Sequence, residues 1–391
     1  MSPSGGSSVA VGRPVLRVYD VVRSAHLERD MVPGDLIYRK ANYDFDPGLA
    51  TGGHVWRRGR IGMARAVFAL ADGVVEVNEP AMVRAWPTLL AVTTAAKISN
   101  LLRRGRLELV SYAIENADIA GSLASRFRLP RPLARLTARG VVGLLFRSLD
   151  RCAFGTAGSR QTYLDLLGAV AGVAADVGAR TQVFPALPSA CPCLLGLVPA
   201  KEPVTVFLGD FAARKGVTAL MAAWPTAGNS ADRHTLLLMG KGELTDQVTA
   251  WAADRPEVEV LVDPPRESIH SRLADAKTLV LLSQPHPRWR EQVGLPILEG
   301  LAHGCEVVTT TETGIADWLR DNGHQVLPPT AGDTATTRTL AAAAARPDRA
   351  AEILHSLPEL DTRLAADRWL TSGCSDSPEI QHPTINDCET N

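Results

Sequence analysis

Glu291 and Glu299 bracket the segment Glu291-Gln292-Val293-Gly294-Leu295-Pro296-Ile297-Leu298-Glu299. The Gly-Leu-Pro step breaks the chain just before an apolar run, so Glu291 is expected on a loop and Glu299 about one turn into a helix starting near Pro296. Backbone N–H groups at Gly294, Leu295 and the helix start have no acceptor within the helix. They also carry the positive end of its dipole, which suits a phosphate. Carboxylates on either side of such a pocket can accept hydrogen bonds from sugar and ribose hydroxyls. Two glutamates at this spacing also occur on solvated helix faces, so the reading depends on the elements around them.

Those elements come in a fixed order. An apolar strand, Thr278-Leu279-Val280-Leu281-Leu282, is followed by Ser283, the acid loop, the helix, Gly304, a second strand, Glu306-Val307-Val308-Thr309-Thr310, and Thr313-Gly314. Upstream, Val204-Thr205-Val206-Phe207-Leu208-Gly209 reads as a strand ending in glycine. Asp210-Phe211-Ala212-Ala213-Arg214-Lys215-Gly216 and a helical run from Thr218 follow it. Between these blocks, Thr235-Leu236-Leu237-Leu238-Met239-Gly240-Lys241-Gly242 reads as a buried strand entering a Gly-x-Gly turn. A diphosphate needs cationic groups beside its pocket, and a lysine at the head of a helix supplies one.

In this order the blocks resemble the donor-binding region of retaining glycosyltransferases of family 4, which have the GT-B fold. The resemblance implies an α/β chain of two Rossmann-like parallel-sheet domains facing across a cleft. It implies a nucleoside-diphosphate sugar as co-substrate, with no further cofactor. On it, Glu291 would hold donor sugar hydroxyls, Glu299 the ribose, and Lys215 the family's lysine position. Gly209, Arg214, Gly240, Val262, Gly294 and Leu295 complete the donor-binding set. One departure stands out: where most members carry an arginine after the strand glycine, this chain has Asp210, whose charge repels a pyrophosphate at close range. Arg214 reaching the phosphates, an unusual donor sugar, or an Asp210 turned away would each accommodate it.

A chain of 391 residues is the length of two ordinary domains, and 46% apolar with 21% charged residues suffices for two cores. The net charge of −1 leaves no electrostatic footprint for nucleic acid. Strand-like runs alternate with helical ones, as in parallel sheets covered on both faces. In the first half, residues 15–22, 36–38, 74–77, 107–114, 153–156 and 181–185 read as strands, and 133–150 as a helix. The stretch 154–160, ending in Ser159-Arg160, is similar to the family's last strand of the first domain and its serine. The expected organisation is a disordered Ser/Gly-rich leader (1–12), an acceptor-binding domain (13–187), a proline-rich linker (188–203) and a nucleotide-sugar-binding domain (204–358). A helix crossing back to the first domain (359–370) and a disordered tail (371–391) complete it. The leader has no cationic start and no long apolar core, and apolar runs elsewhere are broken well short of a membrane span, so a cytosolic protein is expected. The six cysteines, at 152, 191, 193, 305, 374 and 388, lack C-x-x-C spacing. Cys191-Pro192-Cys193 could bind a metal or form a redox pair, but reduced loop thiols are the expectation for a cytosolic chain.

The acceptor side is less legible. Glu115 stands where the family often has a histidine after a cleft strand. It could orient an acceptor hydroxyl, stabilise positive charge at the anomeric carbon, or cap the helix that follows. His54, after the paired glycines Gly52 and Gly53, is a second catalytic candidate, because such glycines let a backbone approach a ligand and histidine titrates near neutrality. A Gly-Gly turn with a surface histidine fits the same residues. Glu79, after the strand 74–77, and Asn116 join the acceptor set. Asp44-Phe45-Asp46 lies in a Pro/Gly loop rather than at a strand end, which argues against a metal-binding acid pair. If Lys215, Arg214 and a helix N-terminus neutralise the pyrophosphate, no metal is needed. Residues 101–160 hold eleven arginines against four acids, which a surface helix with snorkelling arginines explains without a membrane. The reading is a retaining, metal-independent glycosyltransferase with a small-molecule acceptor, such as a specialised metabolite made in antibiotic biosynthesis. A catalytically silent nucleotide-sugar-binding protein, and an epimerase or phosphorylase on the same scaffold, are the alternatives.

Overall fold

Runs such as Val206-Phe207-Leu208 and Leu279-Val280-Leu281 are apolar on both faces, and the chain buries them between helix layers. The computed structural model describes residues 13–42, 45–50, 54–103, 105–168, 180–227, 234–286 and 290–372. Its first sheet contains β1 (Val15–Val22), β2 (Asp35–Ala41), β3 (Val55–Arg57), β4 (Gly73–Val77), β5 (Leu107–Ala113), β6 (Arg151–Phe154) and β7 (Thr181–Val183). These run in the order β3-β2-β1-β4-β5-β6-β7. The second contains β8 (Glu202–Leu208), β9 (Thr235–Gly240), β10 (Val258–Val262), β11 (Ala276–Leu281), β12 (Glu306–Thr310) and β13 (Gln325–Leu327), in the order β10-β9-β8-β11-β12-β13. Every pairing among them is parallel.

Parallel pairing forces each connection to cross over, so all strands of a sheet present their C-terminal ends to one side. Strand order reverses between β1 and β4 in the first sheet and between β8 and β11 in the second. Open α/β sheets form a ligand crevice at such reversals. The loops after β8 and β11 are those that carry Lys215 and Glu291.

Two large cores support the two sheets, one built around Val75, Leu109 and Phe146, the other around Phe207, Leu238 and Val280. A smaller third cluster joins β4, β5 and β6 to the helix Thr362–Thr371 through Val74, Val110, Ala153, Ala366 and Leu370. That helix is the last described element, yet it packs on the first sheet. Asp361 starts it by accepting from the N–H groups of Arg363 and Leu364. An ionic network then fixes it. Arg17 reaches Asp367 at 2.7 Å and Glu76 at 3.2 Å, and Arg363 reaches Glu76 at 2.5 Å. All four groups are buried, so removing one partner would strand an unpaired charge in the interior.

The structure adds three strands that the sequence does not announce: β3 and β13, each only three residues long, and the five-residue β10. The expected helix over 133–150 spans Arg131–Ser148. It buries Ala134, Ala138, Val142 and Phe146, while its arginines lie largely on the outside. No helix among the described residues is long and apolar enough to cross a membrane. The anticipated leader and nearly all of the anticipated tail lie outside the described residues, as do Cys374 and Cys388.

Candidate functional site

The chain leaves β8 through Gly209 at φ +144°, and its N–H donates to the Met239 carbonyl at 3.0 Å. A short 3-10 turn, Ala213–Lys215, follows and closes on Gly216 at φ +78°. A β-carbon on Gly216 would lie 1.9 Å from the Leu282 carbonyl oxygen, so this loop fits against the end of β11 only with glycine. The Gln284 N–H donates to the Arg214 carbonyl at 2.9 Å and completes the seam. Lys215 Nζ thereby sits 2.6 Å from Glu291 Oε2, and the Ser283 hydroxyl donates to the same oxygen at 2.9 Å. Asp210 and Arg214 form an ion pair with each other. Asp210 is thus engaged by the neighbouring arginine.

Glu291 begins a loop tied to the segment after β12. Thr313 Oγ1 donates to the Val293 carbonyl at 2.6 Å, and the Gly314 N–H to the Gln292 carbonyl at 3.0 Å. The loop turns through Gly294 at φ +82° into the helix Leu295–Ala302, with Pro296 in its first turn. Leu295 is partly exposed there, and first-turn N–H groups have no acceptor within a helix. Glu299 lies one turn in and pairs at 2.8 Å with Arg266, at the head of the helix Arg266–Asp275. Gly240 ends β9 and presses on the Gly209 carbonyl, where a β-carbon would come within 1.9 Å. Val262 pairs with Gly240 in register and is exposed at the end of β10.

Across from these loops, β4 and β5 end at Glu79, Glu115 and Asn116. Glu79 is buried and accepts from the N–H groups of Ile114 (3.3 Å) and Glu115 (3.1 Å) and from the Tyr163 hydroxyl (3.3 Å). Burial, and after it the negative charge of Glu115, pushes the Glu79 carboxyl up to about 8, so it is protonated at neutral pH. Glu115 accepts from the Ala117 N–H and from Gln292 Nε2, both at 3.1 Å. The helix after it, Ile119–Phe127, is capped by Asp118 instead, whose carboxylate accepts from the Gly121 N–H at 2.9 Å. That removes the capping alternative for Glu115.

Gln292 belongs to the second domain and Glu115 to the first, so this hydrogen bond spans the cleft. Asn116 spans it too, donating from Nδ2 to the Glu291 carbonyl at 3.3 Å. Its Oδ1 is buried and has no donor. At Gly314 a β-carbon would meet Thr156 Cγ2 at 2.9 Å, a close approach between the domains. A cavity of about 690 Å³ opens beside Asn116, lined also by Asp118, Arg131, Arg135, Asp165 and Arg290.

His54 is not part of this gathering. It precedes β3 and bonds Asp35 at 2.9 Å, at the start of β2. In a parallel sheet that is the end opposite to Glu79 and Glu115. Gly52, Gly53 and Asp44 lie outside the described residues. Asp46 accepts from the Gly48 N–H at 2.8 Å and caps a local turn. Sequence reasoning did not find Tyr163, Arg266 or Gln292. Gln292 follows Glu291 directly and could have been flagged, but nothing local connects Arg266 to Glu299 or Tyr163 to Glu79.

Comparison with known proteins bears on the fold. Residues 202–346 match the family model described as glycosyl transferases group 1. No curated protein sequence matches the chain. Among solved structures, it is similar to the lipopolysaccharide outer core galactosyltransferase WaaB (TM-score 0.59, 11% identity, covering 92% of this chain and 99% of that one). It is also similar to an α,α-trehalose-phosphate synthase from Burkholderia xenovorans (TM-score 0.59, 13% identity, 92% and 100% covered). A third is Anabaena HepE in complex with UDP and glucose (TM-score 0.55, 13% identity, 92% and 95% covered). The chain has the GT-B fold.

Proposed function

We propose that this chain is a retaining glycosyltransferase that moves a sugar from a nucleoside-diphosphate sugar to a small-molecule acceptor, in the cytosol and without a divalent metal. The observation that carries this reading is the Lys215–Glu291 pair at the strand-order reversal of the second sheet, beside the helix Leu295–Ala302. A diphosphate entering there would compete for Lys215 and release Glu291 to accept from sugar hydroxyls. Lys215, Arg214 and the helix N-terminus would supply the positive charge that a metal ion supplies at other pyrophosphate sites. Glu299 would take the ribose hydroxyls, with Arg266 orienting its carboxylate.

In the proposed reaction the bond from the anomeric carbon to the diphosphate oxygen breaks. The acceptor oxygen bonds to the same face, and its proton passes to the departing phosphate. The protein contributes positioning and electrostatics and no nucleophile. Glu115 and Asn116 would orient the acceptor where the two domains touch. Uridine diphosphate is the first nucleotide to try, since HepE is described in complex with UDP-glucose.

The test is transfer from UDP-, GDP-, ADP- and dTDP-sugars to a set of hydroxylated acceptors in the presence of chelator, with the product's anomeric configuration read by NMR. An α-linked product from an α-linked donor is expected. An inverted product, or turnover abolished by chelator, would overturn the respective part of the proposal. A nucleotide-sugar-binding protein without turnover is a second reading, favoured by Asp210, which engages Arg214 beside the donor loop. It would show binding with no transfer to any acceptor.

A further inference from the structure

Four side chains outside the donor site converge in a way that the cysteine spacing alone does not reveal. Cys191 and Cys193 flank Pro192 at the start of a 3-10 turn, Pro192–Leu194, in the linker between the two sheets. His270 comes from the helix Arg266–Asp275, and His303 follows directly on the helix Leu295–Ala302. Their ligand atoms all lie within 4.8 Å of one another. Cys191 Sγ is 3.5 Å from His270 Nδ1, Cys193 Sγ is 3.2 Å from His303 Nε2, and the two ring nitrogens are 3.1 Å apart.

Tetrahedral zinc, with metal–sulfur distances of about 2.3 Å and metal–nitrogen of about 2.0–2.1 Å, spaces its nitrogens about 3.3 Å apart and sulfur from nitrogen about 3.6 Å. Three edges of that tetrahedron are therefore present to within a few tenths of an ångström. Of the other three of the six edges, the sulfur pair stands at 2.7 Å against about 3.8 Å in tetrahedral zinc, so the exposed Cys193 must rotate its side chain outward. The two remaining sulfur–nitrogen edges are no longer than 4.8 Å. His303 also has the outer partner that ligating histidines have: its Nδ1 is 2.7 Å from the Glu299 carbonyl. That bond places the proton on Nδ1 and leaves the Nε2 lone pair directed at the cluster.

We propose that Cys191, Cys193, His270 and His303 form a structural site for a divalent cation of the zinc class. Two thiolates balance the ion's charge, and each ion bound by the reduced protein releases two thiol protons. The site ties the linker to the two helices that carry Glu299 and Arg266. The Cys191 N–H already docks the linker there, donating to the Ala302 carbonyl at 2.7 Å. Two sulfurs and two imidazoles form a closed set, which suits a structural ion rather than a catalytic one with an open position.

The test uses the full chain, reduced, stripped with chelator and titrated anaerobically with cobalt(II), then with zinc(II). Expected are one equivalent of cobalt per chain, visible absorption of tetrahedral cobalt with thiolate charge transfer in the near ultraviolet, and displacement by zinc. Outer partners of metal ligands are worth about 10–100-fold in affinity. Removing a ligand itself by Cys193→Ser or His270→Gln should therefore weaken binding by at least about 100-fold, while Cys374→Ser leaves it unchanged. The proposal falls if cobalt shows only weak octahedral absorption or if Cys193→Ser binds like the parent. A Cys191–Cys193 disulfide in protein isolated under reducing conditions would overturn it as well.

Discussion

The two walls of the cleft treat their acids in opposite ways. On the second domain every carboxylate near the strand-order reversal has a cation: Lys215 for Glu291, Arg266 for Glu299 and Arg214 for Asp210. On the first domain Glu79 and Glu115 face each other, and neither forms a salt bridge among the described residues. They accept from backbone N–H groups, Tyr163 and Gln292, and Glu79 keeps its proton. The contrast teaches what each wall suits. On the proposed reading, a wall of exchangeable ion pairs suits a polyanion, which would take the cations and free the acids. On the same proposed reading, a wall with a protonated Glu79 and hydrogen-bonded Glu115, Asn116 and Gln292 is suited to hydroxyls.

The largest expected effect of breaking the contrast comes from the donor wall. Lys215→Ala leaves the Glu291 carboxylate nearly buried without a cation, and should cost about 3 kcal/mol of stability. If the diphosphate departs beside Lys215, as proposed, losing that positive group should also slow transfer by about 100-fold or more. Thermal denaturation and steady-state rates read the two effects separately, and an unchanged transfer rate would place the diphosphate elsewhere.

The acceptor wall is next. Glu79 holds a proton in the folded state up to about 8, against an ordinary value of 4.5. Between those values the folded chain binds a proton that the unfolded chain has lost, so this group's contribution to stability falls as pH rises through that window. Glu79→Gln cannot ionise, and its denaturation profile from pH 5 to 8 should be flatter than the parent's, by on the order of 3 to 4 kcal/mol at about 1.4 kcal/mol per pH unit. Parallel profiles would mean that Glu79 is ionised throughout.

Smaller effects sharpen the donor side. Asp210→Asn releases Arg214 from a half-exposed pair and should tighten nucleoside-diphosphate binding by about 1 kcal/mol or less, measured by calorimetry. Weaker binding would instead give Asp210 a direct role toward the donor. His54→Ala should leave transfer and stability within about 0.5 kcal/mol of the parent, because His54 lies at the opposite end of the sheet. A large loss of activity would contradict that placement.

The same contrast explains what the sequence reveals. The donor wall is legible because its parts are contiguous: a strand, a glycine, a cation and a helix head, then an acid, a Gly-Leu-Pro turn and a second helix head. Backbone geometry within each block fixes the chemistry, as Gly216 and Gly294 show with their positive φ. The acceptor wall joins residues far apart in the chain, such as Glu79 with Tyr163 and Glu115 with Gln292. No local pattern encodes such pairings. His54 misleads for a related reason. Its Gly-Gly-His context suggests a ligand loop, but only sheet order shows that it precedes a three-residue strand and faces away from the cleft. The cysteine pair likewise reads as loop thiols until folding brings in His270 and His303, 79 and 110 positions away.

The most direct test of the donor site is calorimetric titration of the parent and Glu299→Ala with UDP, GDP, ADP and dTDP, with and without magnesium. A ribose held by Glu299 predicts selective binding of one nucleotide, indifferent to magnesium and weakened in the variant by about 1 to 3 kcal/mol. Failure of the parent to bind any of the four, or equal binding by parent and variant, would contradict the assignment.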